Sequence, residues 1–208
     1  MNVLVVSATE FEIRPFLMEN TTADVLVTGV GIPATVFHLT QKLMGKSYDM
    51  VLQAGIAGSF TPGVKNGSVV AVAKDTFGDI GIQEKGGFKS LFDTGFAGPN
   101  DFPFTDGWLV NDPDTLGASP LPVVVGITVN KITDEPAQIQ ALSGKWTPTV
   151  ESMEGAAFHY VCLQQKVRFL QLRSVSNAVG ERDKGKWDLR SSVTSLNTAL
   201  KELLALYS

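Results

Sequence analysis

The sequence predicts an α/β protein: a central mixed, mostly parallel sheet flanked by helices in three layers. Three observations carry this. Short apolar runs (Asn2 to Val6, Val25 to Thr28, Met50 to Ala54) alternate with helical patterns, and a glycine turn, Gly29-Val30-Gly31, follows the second run. Strand, glycine turn, helix and strand in that order form a β-α-β unit, whose crossover sets the strands parallel. The first run is continuously apolar rather than alternating, the mark of a strand buried on both faces.

Taken in order, the first strand ends at Ser7-Ala8-Thr9, and Glu10, Phe11, Glu12, Ile13 and Phe16 continue with helical spacing. Thr9 with Glu12 three residues later fits a capping box, a structural reason for Glu12 to be there. After Gly31 a helix is expected over Ala34 to Met44, and the third strand ends at Gly55-Ile56-Ala57-Gly58. Small residues at both turns let the backbone approach a ligand, so Gly29, Ala57 and Gly58 are candidate binding positions. Tight strand-to-helix turns explain them equally well. Neither stretch is the GxGxxG fingerprint of a dinucleotide site.

Ser68 to Lys74 reads as a strand, and residues 75–111, rich in Gly, Phe and Asp, show no helical period. An irregular excursion is expected there, and loops of that length usually serve function. Its aromatics (Phe77, Phe88, Phe92, Phe96, Phe102, Phe104, Trp108) either pave a substrate pocket, with Phe77 as a binding residue, or anchor the loop to the sheet. Val123 to Val129 resumes the sheet, and Pro136 to Leu142 is a short helix. Glu154 then precedes a helix through Ala156, Ala157, Val161 and Leu163, and the strand Val167 to Val175 carries Arg173, Ser176 and Asn177 toward its end. In open α/β sheets ligands sit beyond such strand ends. A last amphipathic helix places Val193, Leu196, Leu200, Leu203 and Leu204 on one face.

A chain of 208 residues, 44% hydrophobic and 18% charged, is expected to be one domain spanning 1–208. A net charge of −4 without a Lys/Arg cluster argues against a nucleic-acid partner. Cys162 is the only cysteine, which rules out an internal disulfide and suits a reducing cytoplasm. The start MNVLVVSATE lacks a basic signal region, and no apolar run is long enough to span a membrane. His38 and His159 each stand on a helix without further ligands at metal spacing, so no metal site is expected.

The segment Ser152 to Ala157, SMEGAA, followed by Arg173 to Asn177, RSVSN, resembles the nucleoside phosphorylase and nucleosidase superfamily. The likeness extends over nearly the whole chain: SATEFEI resembles the family's opening, and TGVG and AGIAGSF its two glycine turns. DTFGDIGIQEKGGFKSLFDTGF and NAVGERDKGKW resemble the futalosine hydrolases in particular. The resemblance implies a nucleoside phosphorylase-like fold, cleavage of a purine N-glycosidic bond without cofactor, and a homo-oligomer, dimer or higher. By resemblance Glu12 activates water, Met153 packs under the ribose, Glu154 holds the ribose hydroxyls, Arg173 orients Glu12, and Asn177 reads the purine. That chemistry is physically coherent. The bond breaks through an oxocarbenium-like cation, so a carboxylate at the sugar stabilises developing charge while a second takes a proton from water.

Departures sharpen the expectation. Methylthioadenosine and adenosylhomocysteine nucleosidases read VEMEA and end in SD, where this chain has ESMEG and SN; Ser152 replaces a Glu and Ile56 a Ser. Adenine offers a donor at its 6-position, hypoxanthine an acceptor. A carboxamide at Asn177 donates to O6 while its carbonyl accepts from a protonated N7, favouring a 6-oxopurine. The resemblance implies, as the expected activity, hydrolysis of futalosine to hypoxanthine, as in menaquinone synthesis. An adenine-releasing nucleosidase, a phosphate-dependent phosphorylase and a non-catalytic nucleoside-binding module are the alternatives. Scarce Arg residues, and a Glu12 carboxylate where phosphate would sit, argue for water over phosphate.

Overall fold

The computed structural model describes residues 1–19 and 23–207. The chain opens with β1 (Val3–Ser7), α1 (Glu10–Leu17), β2 (Asp24–Val27), α2 (Ile32–Gly45) and β3 (Met50–Ser59). β4 (Val69–Asp75), a hairpin of β5 (Gly81–Glu84) and β6 (Gly87–Ser90), and β7 (Leu109–Val110) follow. The rest is α3 (Pro113–Gly117), β8 (Val123–Thr128), α4 (Pro136–Trp146), β9 (Val150–Ser152), α5 (Gly155–Gln164), β10 (Phe169–Ala178) and α6 (Leu189–Leu206), with a short 3-10 turn at Lys184–Lys186.

The main sheet is mixed. β1 pairs in parallel with β2 and β3, β3 with β10, β4 with β8, and β8 with β9. β10 with β4, β3 with β9, and β4 with β7 are antiparallel. Because β3 bonds to both β9 and β10, the path β3, β10, β4, β8, β9 returns to β3 and closes part of the sheet. Ala57, Val70, Val72, Val150 and Val175 fill the interior of that closure. The alternation of side chains along a strand explains the two other cores. Val3 and Val5 of β1 pack with Leu196, Leu200 and Leu203 of α6, whereas Leu4 and Val6 pack with Leu39 of α2 and Phe158 and Val161 of α5. The predicted buried character of the first strand follows: both its faces are covered.

Two expectations are corrected here. Gly55 to Gly58 do not form a turn after β3; they lie within it, because β3 runs on to Ser59 and pairs there with β9 and β10. The 75–111 stretch is not irregular throughout. It carries the β5–β6 hairpin and the β7 strand that pairs with β4. Its rings mostly anchor it: Phe77 and Phe92 pack edge-on against Phe104, Phe77 and Phe104 meet Tyr160 of α5, and Trp108 meets Trp146 of α4. Phe96 and Phe102 are exposed.

Candidate active site

Segments far apart in sequence meet around a cavity of about 370 Å³. The α1 start contributes Thr9 and Glu12; β3 contributes Ile56, Ala57 and Gly58; the β9–α5 junction contributes Met153 and Glu154; the end of β10 contributes Ser176 and Asn177. Of the residues singled out from sequence, Glu12, Ala57, Gly58, Met153, Glu154, Ser176 and Asn177 thus line one space. Gly29, Phe77 and Arg173 do not line it. Phe77 is held in the aromatic cluster instead, and Gly29, at φ +86°, shapes the turn that aims Val30 and Gly31 at the site.

Glu12 is fixed by the helix start the sequence foretold. Thr9 caps α1, and the capping box is complete: the Glu12 N–H donates to Thr9 Oγ1 while Glu12 Oε2 accepts from the Thr9 N–H at 3.0 Å. Oε2 also accepts from Thr9 Oγ1 at 2.8 Å and Ser7 Oγ at 3.2 Å, and Oε1 accepts from the Ile56 N–H at 3.0 Å. The structural and the functional reasons for Glu12 therefore coexist. The cap orients a buried carboxylate toward the cavity, and only neutral donors hold it.

Glu154 is held by charge as well. It immediately precedes α5, its Oε1 accepts from the Gly31 N–H at 3.0 Å, and its Oε2 lies 3.6 Å from Arg173 Nη1. Burial pushes its carboxyl above the usual range, against the pull of Arg173, and the Glu12 charge adds to the rise. Arg173 is almost fully buried beneath the site, where Nη2 donates to Gln53 Oε1 at 3.0 Å. Gly55 makes room for it, since a Cβ there would stand 2.3 Å from Nη1. The expected pairing of Arg173 with Glu12 is not what the ion pairs show. Its carboxylate partner is Glu154, and Glu12 takes its donors elsewhere.

Asn177 follows a bulge in β10, where the register against β3 shifts between Val175 and Asn177. The extra residue, Ser176, donates from Oγ to Asn177 Oδ1 at 2.7 Å, and Asn177 Nδ2 donates to the Ala178 carbonyl at 2.8 Å. Bulges re-aim side chains in this way. Glu181, Arg182 and Trp187, on the segment after β10, also line the cavity, and the Trp187 indole donates to the Glu181 carbonyl at 2.9 Å. Arg182 is the only Lys or Arg among the described lining residues.

Glu151 escaped the sequence reading. It lines the cavity, is 6% exposed, and its Oε2 is buried without a hydrogen-bond partner. Burial, with the Asp79 charge nearby, pushes it up to about 7. The sequence signal was there only as an acid inside a strand of three residues, too short for any periodicity to register.

The remaining titratable groups have structural settings. His38 Nδ1 meets the Thr28 carbonyl at 2.8 Å, and His159 is buried with Nδ1 2.9 Å from the Leu109 carbonyl. Burial pushes the Cys162 thiol well up, as suits an inert packed cysteine. Among the described residues no group of three or more His, Cys, Asp and Glu is arranged to hold a metal, and no helix is long and apolar enough to cross a membrane. Two carboxylates and a carboxamide facing one partly enclosed space can carry proton transfer, stabilise positive charge and read a heterocycle's edge.

The family model of the phosphorylase superfamily matches residues 8–207. The chain is 32% identical to the futalosine hydrolase of Thermus thermophilus over 183 residues, 86% of this chain and 80% of that one. It is 33% identical to that of Streptomyces coelicolor over 188 residues, 86% and 77% of the two chains. Among solved structures, the native futalosine hydrolase of Helicobacter pylori superposes with a TM-score of 0.83 at 16% identity, covering 99% of this chain and 97% of that one. The 5′-methylthioadenosine/S-adenosylhomocysteine nucleosidase of the same organism gives 0.83 at 16%, covering 99% and 98%. At those identities the structures speak for the fold. Family model and close relatives together place the chain in the phosphorylase superfamily, among the futalosine hydrolases.

Proposed function

We propose that the protein hydrolyses the N-glycosidic bond of futalosine and releases hypoxanthine. The observation that carries this reading is the convergence of Glu12, Met153, Glu154 and Asn177 on one cavity. Glu12, oriented by four donors, takes a proton from the attacking water. Glu154 holds the ribose hydroxyls, and its negative charge stabilises the ribosyl cation as the bond breaks. Met153 packs under the sugar. Asn177 donates to O6 and accepts from protonated N7, so that the base leaves neutral. Arg173, out of reach of the cavity, is a positioning residue that acts through Glu154. Arg182 supplies the cation that a carboxylated 5′-substituent needs.

The same reading takes the chain as one domain, cytoplasmic, with a mostly parallel sheet as the middle of three layers. It also takes the protein as a homo-oligomer whose neighbouring subunit completes the 5′-pocket. Exposed Phe11 and Val30 at the cavity, and exposed Phe37 and Met44 on α2, support that arrangement.

Purine release from futalosine, inosine and methylthioadenosine, each with and without phosphate, tests the assignment. Hypoxanthine from futalosine in phosphate-free buffer is expected. Release that needs phosphate would make the protein a phosphorylase, and adenine from methylthioadenosine as the preferred product would mean that Asn177 is misread.

A further inference from the structure

Glu12 stands on a helix that is weak by itself. α1 has eight residues, and helices that short do not hold together in water unaided. Pro15 sits inside it, so the N–H that would bond the Phe11 carbonyl is missing. Ile13 and Phe16 share a core with Leu196 and Leu200 of α6, which keeps α1 against the body of the protein. Apolar contact is non-directional, however, and does not by itself fix the rotation of a helix. A slip of one residue turns a helix by about 100°, enough to carry the Glu12 side chain away from its donors.

Asn197 of α6 supplies the missing direction. It is 1% exposed, and its Oδ1 accepts from the Phe16 N–H at 3.0 Å while its Nδ2 donates to the Glu12 carbonyl at 2.8 Å. Residues four apart are the pair that one helical turn joins, so a single carboxamide grips both ends of that turn of α1. Nδ2 also donates to the Val193 carbonyl of its own helix at 2.7 Å, which leaves neither amide hydrogen unused. The orientation of the amide is forced by its partners, because an N–H can only donate and the two carbonyls can only accept. Glu12 is thus held twice: its main chain by α6, and its carboxylate by Ser7, Thr9 and the Ile56 N–H. We propose that Asn197 is a positioning residue for the activation of water: its carboxamide sets the rotation and height of α1, and so brings the Glu12 carboxylate to its donors and to the cavity. This rests on the role of Glu12 given above. Asn197 does not line the cavity, so it acts through Glu12 alone. A buried Asn in an apolar interface is costly unless every bond is made, and here the bonds go to the one helix that carries the base.

The test is futalosine turnover by wild type, Asn197→Leu and Asn197→Ser, each alone and combined with Glu12→Gln. Leucine fills the space without the bridge, and the shorter serine hydroxyl bonds back to the Val193 carbonyl four residues earlier, as Ser does within helices. Calorimetric binding of hypoxanthine counts the folded sites, and rates are expressed per site. Both variants are expected to bind hypoxanthine as wild type does and to lose about 10- to 100-fold in kcat with KM unchanged. In the Glu12→Gln background, where no base remains to be positioned, neither should lower kcat further. A loss by the same factor in both backgrounds makes Asn197 merely structural and overturns the proposal, as does full turnover per site in either variant. No hypoxanthine from futalosine with wild type removes the function itself, and wild-type turnover by Glu12→Gln removes the role of Glu12 on which the proposal stands.

Discussion

The two ends of the cavity are built on opposite principles. At one end, Glu12 and Glu154 are fully engaged within the protein: four neutral donors hold the first, a guanidinium and a backbone N–H the second. At the other, Glu151 has an unpartnered buried oxygen beside a like charge, and Asn177 is satisfied only by its own strand. On the proposed reaction, the contrast separates groups fixed before the substrate arrives from groups whose bonding capacity is still open. Groups that meet charge developing in a transition state work best when fixed beforehand.

The Glu12 and Glu154 end breaks most severely. Glu12→Gln preserves the capping geometry but cannot take a proton, so futalosine turnover should fall by about 100- to 10,000-fold with the fold unchanged by circular dichroism. Glu154→Gln should lower turnover by about 100- to 1,000-fold. It also leaves the buried Arg173 without its counter-charge, which should cost about 3 kcal/mol in denaturant unfolding. Substantial turnover by Glu154→Gln with intact stability would remove it from the reaction.

The Glu151 end should respond in the opposite sense. A carboxyl raised in the folded state contributes stability that is fully present below its ordinary value of 4.5 and is lost as pH rises through about 7. Glu151→Gln, which never ionises, should therefore be more stable than wild type at pH 8 by about 2 kcal/mol, and the gain should vanish near pH 4. Denaturant midpoints at the two pH values decide it. Asp75, raised to about 6, and Glu154 impose slopes of the same sign, so the difference between variant and wild type is what isolates Glu151. The smallest effect is expected from Asn177→Asp, which should move the kcat/KM ratio toward 6-aminopurine nucleosides by about tenfold.

Much of this was legible in the chain. Val3 to Val6 and Met50 to Leu52 are buried on both faces and announce themselves as continuous apolar runs, and Thr9 with Glu12 announces the start of α1. Glu12, Met153, Glu154 and Asn177 were legible because each sits in a stretch that resembles the superfamily's, and all four line one cavity. What stayed hidden depends on contacts between segments distant in sequence. Closure of the sheet comes from β3 bonding to both β9 and β10, and β9 has only three residues. Arg173 looks like a strand-end residue in sequence, yet it lies in the middle of β10, where Gly55 leaves room for its guanidinium and Glu154 is its carboxylate partner. Phe77 was misplaced for the same reason: composition shows an aromatic-rich excursion but not which side chains turn toward Tyr160. Glu151 carries no motif at all, since a missing partner leaves no trace in sequence.

A crystal structure of the protein with hypoxanthine tests the account most directly. The purine should lie beside Asn177 with the amide at N7 and O6, and N9 directed toward the space between Glu12 and Glu154. A base bound away from Asn177, or turned so that N1 faces its amide, would contradict it.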